Sequence, residues 1–208
     1  MLIPLSHAKK LIDIGYSLIV SDDQKRPIGS WKECQQKAFT KDEFEHRYYS
    51  DKANYVGFLT GYNEIEVIDV DLKVFATLKE QNDFWNEFLQ LLKDNIDDFD
   101  LKFTIYKTIN QGYHILYKTK NVEGNQKIAR LKDHSEAVIE SRGKGGYCVV
   151  YTNNITELTY LDVKHISDKD REILWTICKM YNWTGDQEIV TNVSEQYEST
   201  LTPWQDYN

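Results

Sequence analysis

The sequence predicts a mixed α/β domain of the α+β kind, and three observations carry that prediction. Short β-branched, apolar stretches crowd the chain between residues 54 and 152, each bounded by glycine or asparagine turns. Stretches with apolar residues at helical spacing lie near 6–16, 40–49, 74–92 and 167–181. No internal repeat is present, so strands and helices must share one layered core.

In chain order, Ala8, Leu11, Ile12 and Ile14 mark a first helix, with Ser6 read as its N-cap and Gly15 as its stop. Ser17 to Val20 reads as a strand, and Asp22 to Ser30, with Pro27 and Gly29, as a loop ending at Trp31. Thr40 with Glu43 three residues later is a capping box that opens a second helix. Asn54 to Thr60 and Glu64 to Asp71 read as a hairpin turning at Gly61-Tyr62-Asn63. Val74 to Leu92 reads as the longest helix, with Phe75, Leu78, Phe84, Trp85, Phe88 and Leu92 towards a core. Lys102 to Lys107 and Gly112 to Tyr117 form a second hairpin around Asn110-Gln111, and Gln126 to Leu131 reads as one helical turn. Glu136 to Glu140 and Tyr147 to Thr152 read as a third hairpin across a glycine-rich turn, followed by a helix capped by Ser167. Residues 1–183 are expected to form the domain, and the polar, aperiodic 184–208 a linker.

A chain of 208 residues is long enough for one sizeable core. It has no run of about 18 apolar residues, hence no predicted membrane span. The N-terminus lacks the basic-then-apolar pattern of a signal peptide, and three widely spaced cysteines make neither a zinc knuckle nor a disulfide framework. A reducing cytoplasm is therefore the expected location. The net charge of −8 argues against sequence-blind wrapping of nucleic acid, although a local basic strip can still bind it.

Three stretches can carry chemistry. Val67-Ile68-Asp69-Val70-Asp71 ends an apolar strand with two carboxylates on one face, because side chains alternate along a strand. Like charges so close raise the cost of ionising one another unless a cation joins them, and hard oxygen ligands suit a divalent metal. Gly112-Tyr113-His114 sets an imidazole in a strand, where it can donate to a phosphate oxygen, and Gly112 lets a ligand approach the backbone. Val138-Ile139-Glu140 supplies a third acid, followed by Arg142 and Lys144, which would balance triphosphate charge. Metal-assisted phosphoryl transfer needs this combination: bridging carboxylates for two ions, and separate donors for the triphosphate.

The order of these motifs resembles the bifunctional primase–polymerase (prim-pol) domain of the archaeo-eukaryotic primase superfamily, found in phages, plasmids and mobile elements. The resemblance runs from about Ile3 to Thr152. It adds Gly57-Phe58-Leu59-Thr60-Gly61 before the acid strand, Lys25-x-Pro27 with Trp31 near the start, and Arg142 to Val150 at the end. Gly112 stands where many members have serine, and Glu140 where others have aspartate. The fold this implies is an antiparallel catalytic sheet like that of the RNA-recognition motif, plus a smaller α/β N-terminal module.

The implied activity is templated nucleotidyl transfer from NTPs or dNTPs to a 3′-hydroxyl on single-stranded DNA. In that reading Asp69, Asp71 and Glu140 are catalytic and hold two Mg²⁺ or Mn²⁺ ions. His114, Gly112, Arg142 and Lys144 bind nucleotide, and Lys107, Tyr113 and Lys118 are candidates for template. Thr202 to Asn208 looks like the linker to a fused or associated helicase in a larger replication protein of a bacterial host. A metal-dependent nuclease and a catalytically inactive single-stranded DNA-binding module are the alternatives. A relaxase-type initiator would need a pair of histidines with a nucleophilic tyrosine, and only His114 is of that kind.

Overall fold

The computed structural model describes residues 2–132, 135–151 and 162–183. Among the described residues, eight strands form two antiparallel sheets. One has the order β1-β2-β8, from Leu18–Ser21, Tyr55–Leu59 and Tyr147–Val150. The other has the order β4-β5-β3-β7-β6, from Thr104–Lys107, Tyr113–Lys118, Ile65–Val70, Ala137–Arg142 and Gln126–Arg130. Helices α1 (Leu5–Asp13) and α2 (Lys41–Tyr48) accompany the small sheet, and α3 (Leu78–Asn95), α4 (Phe99–Lys102) and α5 (Asp168–Met180) the large one. The α+β class with an antiparallel central sheet is as the sequence predicts. No described helix is long and apolar enough to cross a membrane.

Alternation along β3 explains the layering. Ile68 and Val70 join Ile115, Tyr117 and Ile139 under α3 and α5 in one core. Ile65 and Val67 face the other way and join Leu116, Tyr106 and the small sheet in a second core. Asp69 continues the Val67 side, and its side chain is partly exposed.

Several local expectations are corrected. The 54–60 and 64–71 strands are not a hairpin: β2 pairs with β1 and β8, while β3 pairs with β5 and β7. Gly61 at φ 81°, with Asn63 and Glu64 also at positive φ, steers the chain from one sheet to the other. The 136–140 and 147–152 strands are likewise split, and residues 143–146 carry the chain back. The two crossovers abut. The Thr60 hydroxyl donates to the Gly143 carbonyl at 2.7 Å, and a Cβ on Gly61 would lie 2.7 Å from the Lys144 Cα. Any side chain at Gly61 would push the crossovers apart.

Gln126 to Arg130 is a strand, not a helical turn. Register shifts around Ala129 let the consecutive Ile128 and Ala129 both be buried, which disguises strand alternation. The first helix is capped by Pro4 rather than Ser6. The long helix begins at Leu78, because Thr77 and Glu80 form a reciprocal capping box, while Leu72–Val74 make a separate 3₁₀ turn. Thr77→Ala is expected to cost about 1 kcal/mol, read as a lower midpoint in urea denaturation. The capping residues Thr40 and Ser167 stand as the sequence predicts. The expected linker over 184–208 lies outside the described residues.

One polar network fastens α5 to the sheet. Glu66 is fully buried and accepts from Arg171 Nε at 2.7 Å, Arg171 Nη2 at 3.0 Å and the Tyr117 hydroxyl at 2.5 Å. Trp175 Nε1 donates to the same hydroxyl at 3.0 Å.

Candidate active site

The register of the large sheet sets five side chains in one row across its five strands: Tyr106, His114, Asp69, Glu140 and Lys127. Neighbouring strands lie about 4.8 Å apart, so Asp69 and Glu140 are directly adjacent. Asp71 follows just past the end of β3, where its carboxylate accepts from the Lys73 backbone N–H and caps the 3₁₀ turn. Asp69, Asp71, Glu136 and Glu140 line a cleft of about 250 Å³ together with Lys73, Lys127 and Arg142.

The carboxylates carry internal counterions. Arg142 Nη2 lies 3.1 Å from Asp69 Oδ2 and 2.6 Å from Glu140 Oε2, and Arg142 Nε donates to Asp69 Oδ2 at 3.3 Å. Lys73 Nζ sits 3.0 Å from both Asp71 and Glu136. The other Asp69 oxygen faces His114 Nε2 at 3.4 Å, and His114 Nδ1 is hydrogen-bonded to the Tyr106 hydroxyl.

Burial pushes the Asp69 carboxyl pKa up, but the His114 hydrogen bond and the charges of His114 and Arg142 outweigh it, holding the value at about 2. Burial opposes the charge on Arg142, while Asp69 and Glu140 hold its pKa above the ordinary value. Because the folded Asp69 value is below the ordinary one of about 3.9, its ionisation stabilises the fold above about pH 4, and that contribution is lost as pH falls through about 2. The stability difference between pH 6 and pH 2 is therefore expected to be smaller in Asp69→Asn than in the parent, read by chemical denaturation at each pH.

The sequence-predicted residues do not all converge. Asp69, Asp71, Glu140 and Arg142 line the cleft, and His114 stands behind Asp69, in contact with it but not lining the cleft. Lys144 is exposed on the crossover, its backbone N–H bound to the Glu123 carbonyl, and does not line the cleft. Gly112 clears room for the protein's own backbone, since a Cβ there would lie 2.5 Å from the Val70 carbonyl oxygen. Tyr113 is stacked on Trp85 at 3.7 Å, on the helix-covered face with Lys107 over its ring, because both alternate with the row that holds His114. Lys118 stands opposite Ile65, four residues along β5 from His114.

Residues outside the sequence-predicted set adjoin this cluster. Lys127 was hidden by the bulged strand. Tyr106 differs from other strand tyrosines only by its register with His114. Lys25, in left-handed backbone at φ 59°, donates to the Tyr151 hydroxyl at 3.1 Å, and the Tyr151 ring lies 6.3 Å from that of His114. The lysine–proline–tryptophan segment of the sequence was the available signal for that contact.

Among known protein families, residues 3–168 match the one described as bifunctional DNA primase/polymerase, N-terminal (Prim-Pol). The chain belongs to this family. A search of curated proteins finds no match. At the level of the family, a Prim-Pol domain is a DNA primase/polymerase of DNA replication.

The donors of this Prim-Pol cleft suit a hard divalent ion, since the cleft is lined by carboxylates with no thiol or thioether. As the side chains stand, no group of three or more carboxylate, histidine or cysteine donors among the described residues is gathered to hold an ion. Two of the carboxylate oxygens that would do so, Asp69 Oδ2 and Glu140 Oε2, are engaged by Arg142.

Proposed function

We propose that the chain is a template-dependent nucleotidyltransferase that adds nucleotides from NTPs or dNTPs to a 3′-hydroxyl on single-stranded DNA. The observation that carries this reading is the adjacent, in-register Asp69 and Glu140, with Asp71 in the same cleft, in a Prim-Pol chain. Asp69, Asp71 and Glu140 would hold two Mg²⁺ or Mn²⁺ ions. Bound there, such ions favour deprotonation of the attacking hydroxyl and take up charge on the leaving pyrophosphate.

The chain's own groups have distinct tasks. Asp69 is held from both sides, by His114 on one oxygen and Arg142 on the other, so its orientation is set before any ligand arrives. Arg142 brings a planar guanidinium suited to phosphate oxygens, and Lys127 places a second cation across from Glu140. His114 is 5 % exposed and has Tyr106 and Asp69 at its two ring nitrogens, which supports a role in holding Asp69; the triphosphate role expected from the sequence belongs to the proposal without support from these contacts. The expected template and helicase partners belong to the same proposal.

The test is a single-stranded DNA template with labelled ribo- or deoxynucleotides, in Mg²⁺ and in Mn²⁺, with and without a primer. Product dependent on template, nucleotide and divalent ion is the expected result. Cleavage of the template without nucleotide triphosphate supports the nuclease instead. Template binding with no product in any combination supports the inactive binding module.

A further inference from the structure

We infer that Arg142 is an exchangeable cation: it occupies the carboxylates until a divalent ion takes them, and only then serves the triphosphate. Metal and triphosphate binding are thereby coupled through one side chain. This rests on the nucleotidyltransferase reading of the cleft.

The atoms carry the argument. The guanidinium contacts Asp69 Oδ2 and Glu140 Oε2. A divalent ion joining these two adjacent carboxylates needs oxygens from the same pair, so ion and guanidinium compete. Arg142 lies two residues beyond Glu140 on β7, hence on the same sheet face, and its side chain, 35 % exposed, already lines the cleft with room to move within it. Once displaced it presents a charged fork of donors to the cleft, which matches phosphate oxygens and cannot be left without an anion at no cost. Lys73 differs: it neutralises Asp71 together with Glu136 and touches neither Asp69 nor Glu140 in the contacts seen.

Two titrations without turnover test this. In calorimetry with Mn²⁺ alone, Arg142→Met is expected to bind the ion about tenfold more tightly than the parent, and Asp69→Asn to bind it more weakly, a coupling of ordinary size between two ligands. In EDTA, Asp69→Asn is expected to bind inorganic triphosphate about tenfold more tightly than the parent, because it loosens Arg142. The double variant Asp69→Asn/Arg142→Met should lose that gain. Glu136→Gln removes a charge from the same cleft without touching Arg142, and should produce neither gain.

Mn²⁺ binding that depends on Asp69 yet is unchanged or weaker in Arg142→Met overturns the exchange while leaving the metal site standing. Equal gains in Glu136→Gln overturn it too, by reducing the effect to net charge. Mn²⁺ binding indifferent to Asp69→Asn overturns both the exchange and the metal-site reading. Should Arg142→Met fail to fold, the metal-free titration of Asp69→Asn decides alone: no gain in triphosphate affinity overturns the exchange.

Discussion

Asp69→Asn is expected to lower templated nucleotide addition by at least about 10²–10³-fold, the scale lost when one charge-stabilising contact is removed from a reacting centre. Asparagine has nearly the same shape, and its amide oxygen can still accept from Arg142, so the fold should survive. What disappears is the negative charge next to Glu140, and with it a ligand for a divalent ion. Asp71→Asn should cost a similar factor for the same reason. An asparagine at 71 can still cap the 72–74 turn by accepting from the Lys73 N–H. Primer synthesis and extension on single-stranded DNA measure the loss, and near-ultraviolet circular dichroism checks the fold. Activity close to that of the parent in either variant would overturn the assignment of these acids.

The second large effect concerns stability. Arg171→Met is expected to cost about 3–5 kcal/mol in urea denaturation, because it leaves Glu66 buried without its cation. Glu66 would retain the Tyr117 hydroxyl and the Glu123 backbone N–H, the latter at 3.2 Å, which solvate the charge only in part. The double variant Glu66→Leu/Arg171→Met should recover part of the loss, since a matched apolar pair often replaces a buried ion pair at little cost. Recovery is incomplete because the Tyr117 hydroxyl loses its acceptor. A cost below about 1 kcal/mol for Arg171→Met would rank the pair with exposed salt bridges and leave the docking of α5 to its apolar face.

These two sites illustrate what can be read locally and what cannot. The acid strand was legible because β-branched residues ending in Asp-x-Asp point to both a strand and a shared face. The Thr40 and Ser167 caps were legible because cap chemistry acts over three residues. The hairpin from β4 to β5 was legible because its partners are neighbours in the chain. The Thr77 box was equally local, but a continuous apolar pattern from Val74 hid it. Glu66 gave no sign in the sequence of being the most buried acid among the described residues, since its partner Arg171 lies 105 residues away.

Strand pairing across the two sheets was not legible. Gly61 and the 143–146 stretch have the composition of hairpin turns, and a crossover uses the same residues for the same freedom in φ. Only the competition among all strands for buried neighbours decides that β2 and β8 leave the central sheet. The cleft follows the same division. The sequence by itself determined the chemistry available: Asp69, Asp71, His114, Glu140 and Arg142. Tertiary structure alone decided their company. It set Asp69 beside Glu140, Arg142 between them, and Tyr106 behind His114, while Tyr113 and Lys107 turned to the opposite face. The physical reason is that residue type fixes what a side chain can bind, whereas register between strands distant in the chain fixes which side chains meet.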